Sequence, residues 1–343
     1  MKAMVLRKTS DLRRESEPLE MCDLPVPEPA AGEILIRVSA CGVCHTELDE
    51  IEGRTAPPVL PVIPGHQVVG TVHALGSAAS LYGIGSRVGV GWVFSACGSC
   101  PYCRSGRENL CRDFQATGRD RNGGYAEYIV VPEAFAYPIP PLFSDAEAAP
   151  LLCAGAIGYR SLRLANLDDG QPLGLTGFGA SAHLVLMMVR HLYPRTKIFV
   201  FARREEERRF ALDLGAAWAG DTGETAPEKL QAVIDTTPAW KPVVEALRNL
   251  QSGGRLVINA IRKEKGDQGE LLRLDYPAHL WMEKEMSSVA NVTRRDIAEF
   301  LELAGAIPIR PQVEEYPLDQ ANRALIDLKI GRIRGAKVLR MAT

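Results

Sequence analysis

Leu175-Thr176-Gly177-Phe178-Gly179-Ala180-Ser181-Ala182 is the stretch that decides the fold. It reads G-x-G-x-x-A and lies between a short apolar run, residues 172–177, and an apolar helix-like segment, residues 181–192. In a strand–turn–helix setting this spacing has physical meaning. Gly177 permits the tight turn, Gly179 lets backbone approach a pyrophosphate, and the small Ala182 lets helix pack closely on strand. The first helical turn, with Ala180 and Ser181, offers free N–H groups and the positive end of the helix dipole to phosphates. The stretch predicts a dinucleotide site.

Working outward, strand-like and helix-like segments alternate. Residues 197–201 read as a second strand and 205–214 as a helix ended by Gly215. Residues 232–235 and 255–259 read as strands with a helix at 242–250 between them. Such βαβ alternation predicts a doubly wound parallel sheet with helices on both faces, a Rossmann domain. The end of the second strand bears on the cofactor. An NAD site usually places Asp or Glu there for the ribose 2′-hydroxyl. Here Ile198-Phe199-Val200-Phe201 runs into Ala202-Arg203-Arg204. Guanidinium groups bind a 2′-phosphate that a carboxylate would repel, so NADP(H) is expected over NAD(H). The other reading has Arg203 and Arg204 begin a solvated helix and pair with Glu205–Glu207, with Glu205 free to serve an NAD ribose.

The N-terminal half has another texture. Short β-rich runs, among them 4–6, 33–38, 68–72 and 87–90, are separated by Gly and Pro breakers. They predict an irregular antiparallel barrel or sandwich. Near residue 144 the pattern turns helical, with Ser144 as N-cap and Glu147 three residues on. From about Val292 the tail returns to a mixed pattern and ends in strand-like 336–340. A length of 343 residues suggests about two domains of roughly 100–200 residues each. The expected division is a split first domain, 1–154 and 292–343, around a dinucleotide-binding domain, 155–291.

Composition excludes several classes. Hydrophobic residues are 46% and charged residues 24%, so two cores can be filled and disorder is not expected. A net charge of −2 argues against nucleic-acid or anionic-membrane binding. No apolar run approaches the ~20 residues of a membrane span, and Met1–Leu6 open no long apolar h-region, so a secretory signal is not expected. The eight cysteines, at 22, 41, 44, 97, 100, 103, 111 and 153, all fall in the first half. In a cytoplasmic chain such clustering reads as metal ligands or reactive thiols.

Cys97, Cys100, Cys103 and Cys111 form C-x2-C-x2-C-x7-C, with Gly98 and Gly106 loosening the loop. Four thiolates so spaced match a closed tetrahedral structural zinc site. An iron–sulfur cluster also takes four thiolates, but its usual spacing differs at the last gap. Cys44, His66 and Cys153 are a second set. One His and two Cys would bind a zinc with an open fourth position, the catalytic pattern. Taken by themselves, these residues read more readily as a structural or surface histidine and buried thiols.

The order of Gly42-Val43-Cys44-His45-Thr46, Pro64-Gly65-His66, the four-cysteine loop, Gly123-Gly124-Tyr125-Ala126-Glu127-Tyr128 and Cys153, followed by the nucleotide loop, resembles the medium-chain zinc-dependent alcohol dehydrogenases over essentially the whole chain. The resemblance implies a GroES-like catalytic domain beside the Rossmann domain. It makes Cys44, His66 and Cys153 the catalytic zinc ligands and the other four cysteines a structural zinc lobe, two zinc per chain. Cys41 is then packing, and Cys22 has no assigned chemistry. Thr46 is implied to touch the substrate oxygen and begin a proton relay, and His45 to lie near the cofactor pyrophosphate. Trp92 is implied to line the substrate pocket, and Ile51 and Thr55 to leave it roomy.

Three residues depart from the family pattern. Gln67 replaces the acid after the zinc histidine. Glu47 replaces an Asp and could orient His66 from behind. Asp49 stands where a histidine often ends the relay; it is either a proton acceptor or a solvated surface carboxylate. The implied reaction is reversible hydride transfer between a primary or secondary alcohol and NAD(P)+, with the cleft between the domains. The implied assembly is a homodimer or homotetramer, and the only other partner a small alcohol or aldehyde. The rivals are a zinc-independent quinone or enoyl reductase of the same fold and a non-catalytic zinc protein.

Overall fold

The computed structural model describes residues 1–307, 309–331 and 335–342. The chain divides into two compact units, Met1–Ala156 with Val292–Thr343, and Ile157–Asn291. In chain order the first unit contributes β1 (Lys2–Leu6), β2 (Leu19–Asp23), β3 (Glu33–Val43), α1 (His45–Ile51), β4 (Gln67–Leu75), β5 (Arg87–Val90), β6 (Val93–Ser95), α2 (Pro101–Arg104), β7 (Gln115–Ala116), β8 (Tyr128–Pro132), β9 (Ala136–Pro138) and α3 (Asp145–Pro150). The helix α4 (Ala156–Ala165) leads into β10 (Leu173–Thr176), α5 (Ala180–Leu192), β11 (Ile198–Phe201), α6 (Glu205–Asp213), β12 (Trp218–Gly220), β13 (Leu230–Asp235), α7 (Lys241–Asn249), β14 (Leu250–Ile258) and β15 (Glu285–Ser288). The chain then returns to the first unit with α8 (Arg294–Ala306), β16 (Val313–Pro317), α9 (Ala321–Lys329) and β17 (Ala336–Arg340).

The first unit is built on a sheet ordered β16-β17-β3-β4-β5-β9, with β8 also on β3. Its pairs are antiparallel except β16 with β17, which run parallel. The tail strand β17 lies beside β3, Lys337 opposite Val43, so residues from the two ends of the chain share one core. Ile34, Ile36, Val68, Val88, Tyr125 and Leu339 are among the buried side chains that fill it.

In the second unit all pairs are parallel, in the order β12-β11-β10-β13-β14-β15. The order runs outward in both directions from β10. Right-handed crossovers then place α5 and α6 on one face and α7 on the other. Phe199, Phe201, Val233, Val243, Leu247 and Leu256 are buried together in this core. The phosphate-loop helix begins at Ala180, one residue before the start read from the sequence. Two strands were not anticipated, β12 and β15. Both are short, and β15 is exposed throughout, so neither carries an apolar alternation. No helix among the described residues is long and apolar enough to cross a membrane.

Candidate active site

Strand register brings the first two candidate ligands together. Gly42 of β3 is opposite Gln67 of β4. Cys44 follows the end of one strand and His66 precedes the start of the other, so they emerge side by side. Cys44 is also the N-cap of α1: its sulfur accepts from the Thr46 N–H at 3.3 Å. The Glu47 carboxylate completes the capping box by accepting from the Cys44 N–H at 2.8 Å. Its other oxygen lies 2.5 Å from His66 Nδ1. With Nδ1 held, Nε2 is turned to the Cys44 sulfur at 3.7 Å.

Cys153 arrives from the far side of the sequence. α3 starts at the Ser144–Glu147 capping box, packs on β3 and β4, and runs into Pro150. After that proline the chain takes one wide π turn, Leu151–Gly155, before α4. Leu151 and Leu152 are fully buried and anchor the turn, while Cys153 is half-buried. The sulfurs of Cys44 and Cys153 and a His66 nitrogen lie within 4.8 Å of one another. The hydrogen bond with Cys153 pushes the Cys44 thiol well above its usual range, helped by burial and Glu47. Two crowded sulfurs and one oriented imidazole are a donor set suited to zinc with one position open.

The second cluster is equally local. The sulfurs of Cys97, Cys100, Cys103 and Cys111 lie within 4.8 Å of one another. Cys97 accepts from the Cys100 N–H at 3.3 Å, and Cys100 caps α2 by accepting from the Cys103 N–H at 3.5 Å. N–H groups of Ser99 and Cys100, with the Ser99 hydroxyl, hold the Cys97 thiol down to about 6. Cys103 is pushed up to about 12 by burial and by the Cys100 thiol. A backbone that already turns its N–H groups toward sulfur is prepared for thiolates, as a closed zinc site requires. The buried Glu108 fastens this lobe by accepting from the Arg294 N–H at the start of α8, at 2.6 Å.

Around the first cluster, His45 is exposed at the start of α1, and Thr46 is buried. Asp49 is also buried and bonded to Arg54, with Nε at 2.6 Å. That excludes the solvated-surface reading of Asp49. Arg54, which the sequence did not single out, is joined through Glu52 to Lys329 of α9. Gln67 is buried in β4. Cys41 is fully buried in the core and Cys22 half-buried on β2. Trp92 is half-buried and packs on Phe114 with ring centroids 4.9 Å apart. Its neighbour Gly91 lies against the Leu152 carbonyl, one residue from Cys153.

The glycine loop of the second unit follows β10. Gly177 has φ +75°, and a Cβ there would come within 2.9 Å of Thr237 and 3.0 Å of Thr236. Only glycine fits that turn. Gly179, the N-cap of α5, has nothing within 4 Å of an added Cβ, and no side chain caps the helix. A helix start without a side-chain cap, with open space beside Gly179, suits a phosphate. Ala182 is fully buried, and Ser181 accepts from Asn259 Nδ2 at 3.2 Å. His183 Nδ1 bonds the Gly179 carbonyl at 3.1 Å, and burial drives this ring down to about 4, so it is neutral. Arg203 and Arg204 are exposed after β11, with Arg204 the N-cap of α6. Arg208 donates to the carbonyls of Ala202 and Arg203 at 2.8 and 3.1 Å and steadies that turn.

Residues 30–141 match the family described as Alcohol dehydrogenase GroES-like domain. Over 330 residues the chain is 44% identical to a "Probable alcohol dehydrogenase AdhA" of Mycobacterium tuberculosis, covering 95% of this chain and 93% of that protein. It is 31% identical over 343 residues to an alcohol dehydrogenase of Geobacillus stearothermophilus, covering 97% and 99%. In fold it is similar to the cobalt- and zinc-bound thermostable alcohol dehydrogenase from Pyrobaculum aerophilum, with a TM-score of 0.87, 24% identity and 99% of each chain covered. Relatives so similar along nearly their whole length place this chain in the medium-chain alcohol dehydrogenase family, as an NAD(P)-dependent oxidoreductase of alcohols and aldehydes.

Proposed function

We propose that the first unit holds two zinc ions and the second a nicotinamide dinucleotide. Cys44, His66 and Cys153 hold the catalytic zinc, and Cys97, Cys100, Cys103 and Cys111 the structural one. The observation that carries the reading is the convergence of the three distant ligand side chains within 4.8 Å, with Glu47 fixing the histidine. Zinc at this site would supply a Lewis acid for the substrate oxygen, and the nicotinamide would carry the hydride.

The chain's own residues do the rest. Glu47 orients His66. Thr46 holds the alcohol proton at its hydroxyl and passes it on toward the buried Asp49, whose carboxylate Arg54 keeps in one place. Gly177, Gly179, Ala180, Ser181 and Ala182 seat the pyrophosphate, with His45 adding a basic group nearby. Arg203 and Arg204 favour the 2′-phosphate of NADP(H), since no carboxylate stands at the end of β11. Trp92, packed at a tilt against Phe114, gives the alcohol pocket an aromatic wall. We also propose a cytoplasmic homodimer or homotetramer, since the eight cysteines are unbridged and β15 leaves a sheet edge exposed.

Metal analysis tests the assignment. Purified protein should hold about two zinc per chain, and Cys44→Ser and His66→Ala should each lose about one together with alcohol oxidation. Undiminished oxidation in either variant would sink the zinc assignment.

A further inference from the structure

The second unit contains a buried ion pair that the proposed function does not use. Asp235 ends β13 with its side chain fully buried, and Lys263, beyond β14, has a side chain 7% exposed. The Lys263 ammonium is paired with Asp235 Oδ2 and donates to the carbonyls of Thr237 at 2.7 Å and Ala239 at 3.0 Å. All three of its donors are used. Asp235 Oδ1 in turn accepts from the hydroxyls of Thr176 at 2.5 Å and Thr237 at 2.8 Å. A charge pair this deep adds little stability over an apolar pair of the same volume, so fixing a geometry is the better account of it.

Its position says which geometry. β10 and β13 are adjacent where the strand order reverses, and ligands of such sheets bind outside the carboxyl ends of those strands. Thr176 ends β10 and precedes Gly177, and Thr236 and Thr237 are what a Cβ on Gly177 would strike. The connector that carries Lys263 is fastened along its length. Asn259 N–H donates to the Asp235 carbonyl at 2.7 Å, and its amide reaches Ser181 in the first turn of α5. Glu264 N–H donates to the Pro238 carbonyl at 2.7 Å. Asp267 accepts from the N–H groups of Trp240 and Lys241 at 2.8 and 2.9 Å.

We infer that Lys263 is a positioning residue for the nicotinamide cofactor: it locks residues 235–239 against the glycine loop and so sets one wall of the dinucleotide site. This rests on the glycine loop being the cofactor site. The wall lies by the turn common to both dinucleotides, away from Arg203 and Arg204, so its loss weakens NADH and NADPH alike.

The test is titration of the purified holoprotein, without alcohol, with NADPH and NADH, following the quench of protein fluorescence. Lys263→Met should raise both dissociation constants about tenfold and by the same factor, because the site loses its preorganisation. Lys263→Arg, which keeps the charge, should fall between it and the parent. Should Lys263→Met not fold, Lys263→Met with Asp235→Asn removes both charges and carries the test. Unchanged constants for both cofactors in a folded variant, whatever its melting temperature, overturn the inference, as does a loss confined to NADPH. Arg203→Ala supplies the contrast, with NADPH weakened more than NADH. Gly179→Val tests the underlying reading: if it leaves both constants unchanged, the glycine loop itself is misread, independently of Lys263.

Discussion

Glu47 joins two of the three candidate metal ligands with a single side chain. One oxygen holds the Cys44 backbone, and the other fixes the His66 ring. Carboxylates placed behind a metal-bound histidine typically account for a 10–100-fold effect on metal affinity. Glu47→Ala should therefore weaken zinc binding by about that factor in competition with a chelator, while Glu47→Gln, which can still cap α1, should lose less. The Cys-His-Thr triplet and the four-cysteine loop were legible in the sequence because metal chemistry demands those residue types, and a short loop or a family resemblance places them. Arg54 and Lys263 were not. A lysine in Arg262-Lys263-Glu264-Lys265 reads as solvated charge, and only the approach of β13 to β14 reveals that it is buried.

Helix starts carry much of the local order. α1, α3 and α8 each open with a capping box, from Cys44, Ser144 and Thr293. The box at Ser144 sets the start of the helix that delivers Cys153. Ser144→Ala should destabilise the protein by about 1 kcal/mol, read from the midpoint of chemical denaturation at unchanged m-value. This cap was legible, since Ser three residues before Glu is a local pattern. So were β10, α5 and β11, whose apolar runs are bounded by glycine and charge. β12 and β15 were not, because their pairing comes from β11 and β14 and owes nothing to their own sequence. The antiparallel expectation for the N-terminal half matches the pairs formed there, while β16 and β17 of the tail, which was read only as mixed, run parallel.

At the scale of the whole molecule, every cysteine lies in the first unit, and in the proposed reading the second holds its dinucleotide through backbone amides and basic side chains. Among the described residues β15 pairs on one side only, with β14, and all four of its residues are exposed. Met286 on the strand, and Tyr276, Trp281 and Met282 in the segment that precedes it in sequence, are exposed. An open strand edge with apolar neighbours invites pairing with another chain. Sedimentation of the intact protein should show a dimer or tetramer, and Met286→Lys should shift it toward smaller species. A monomer at micromolar concentration would remove the edge from consideration.

The two loop glycines answer to different judges. Gly177 is imposed by the fold, since any side chain there strikes Thr236 and Thr237. Gly179 is imposed by nothing in the protein, because a methyl group added there touches no atom of it. A screen that ranks variants by folding alone would therefore reject changes at Gly177 and pass Gly179→Ala as neutral. If the loop seats a pyrophosphate as proposed, only a screen that includes the ligand would register the second glycine, as a space left for what the protein receives.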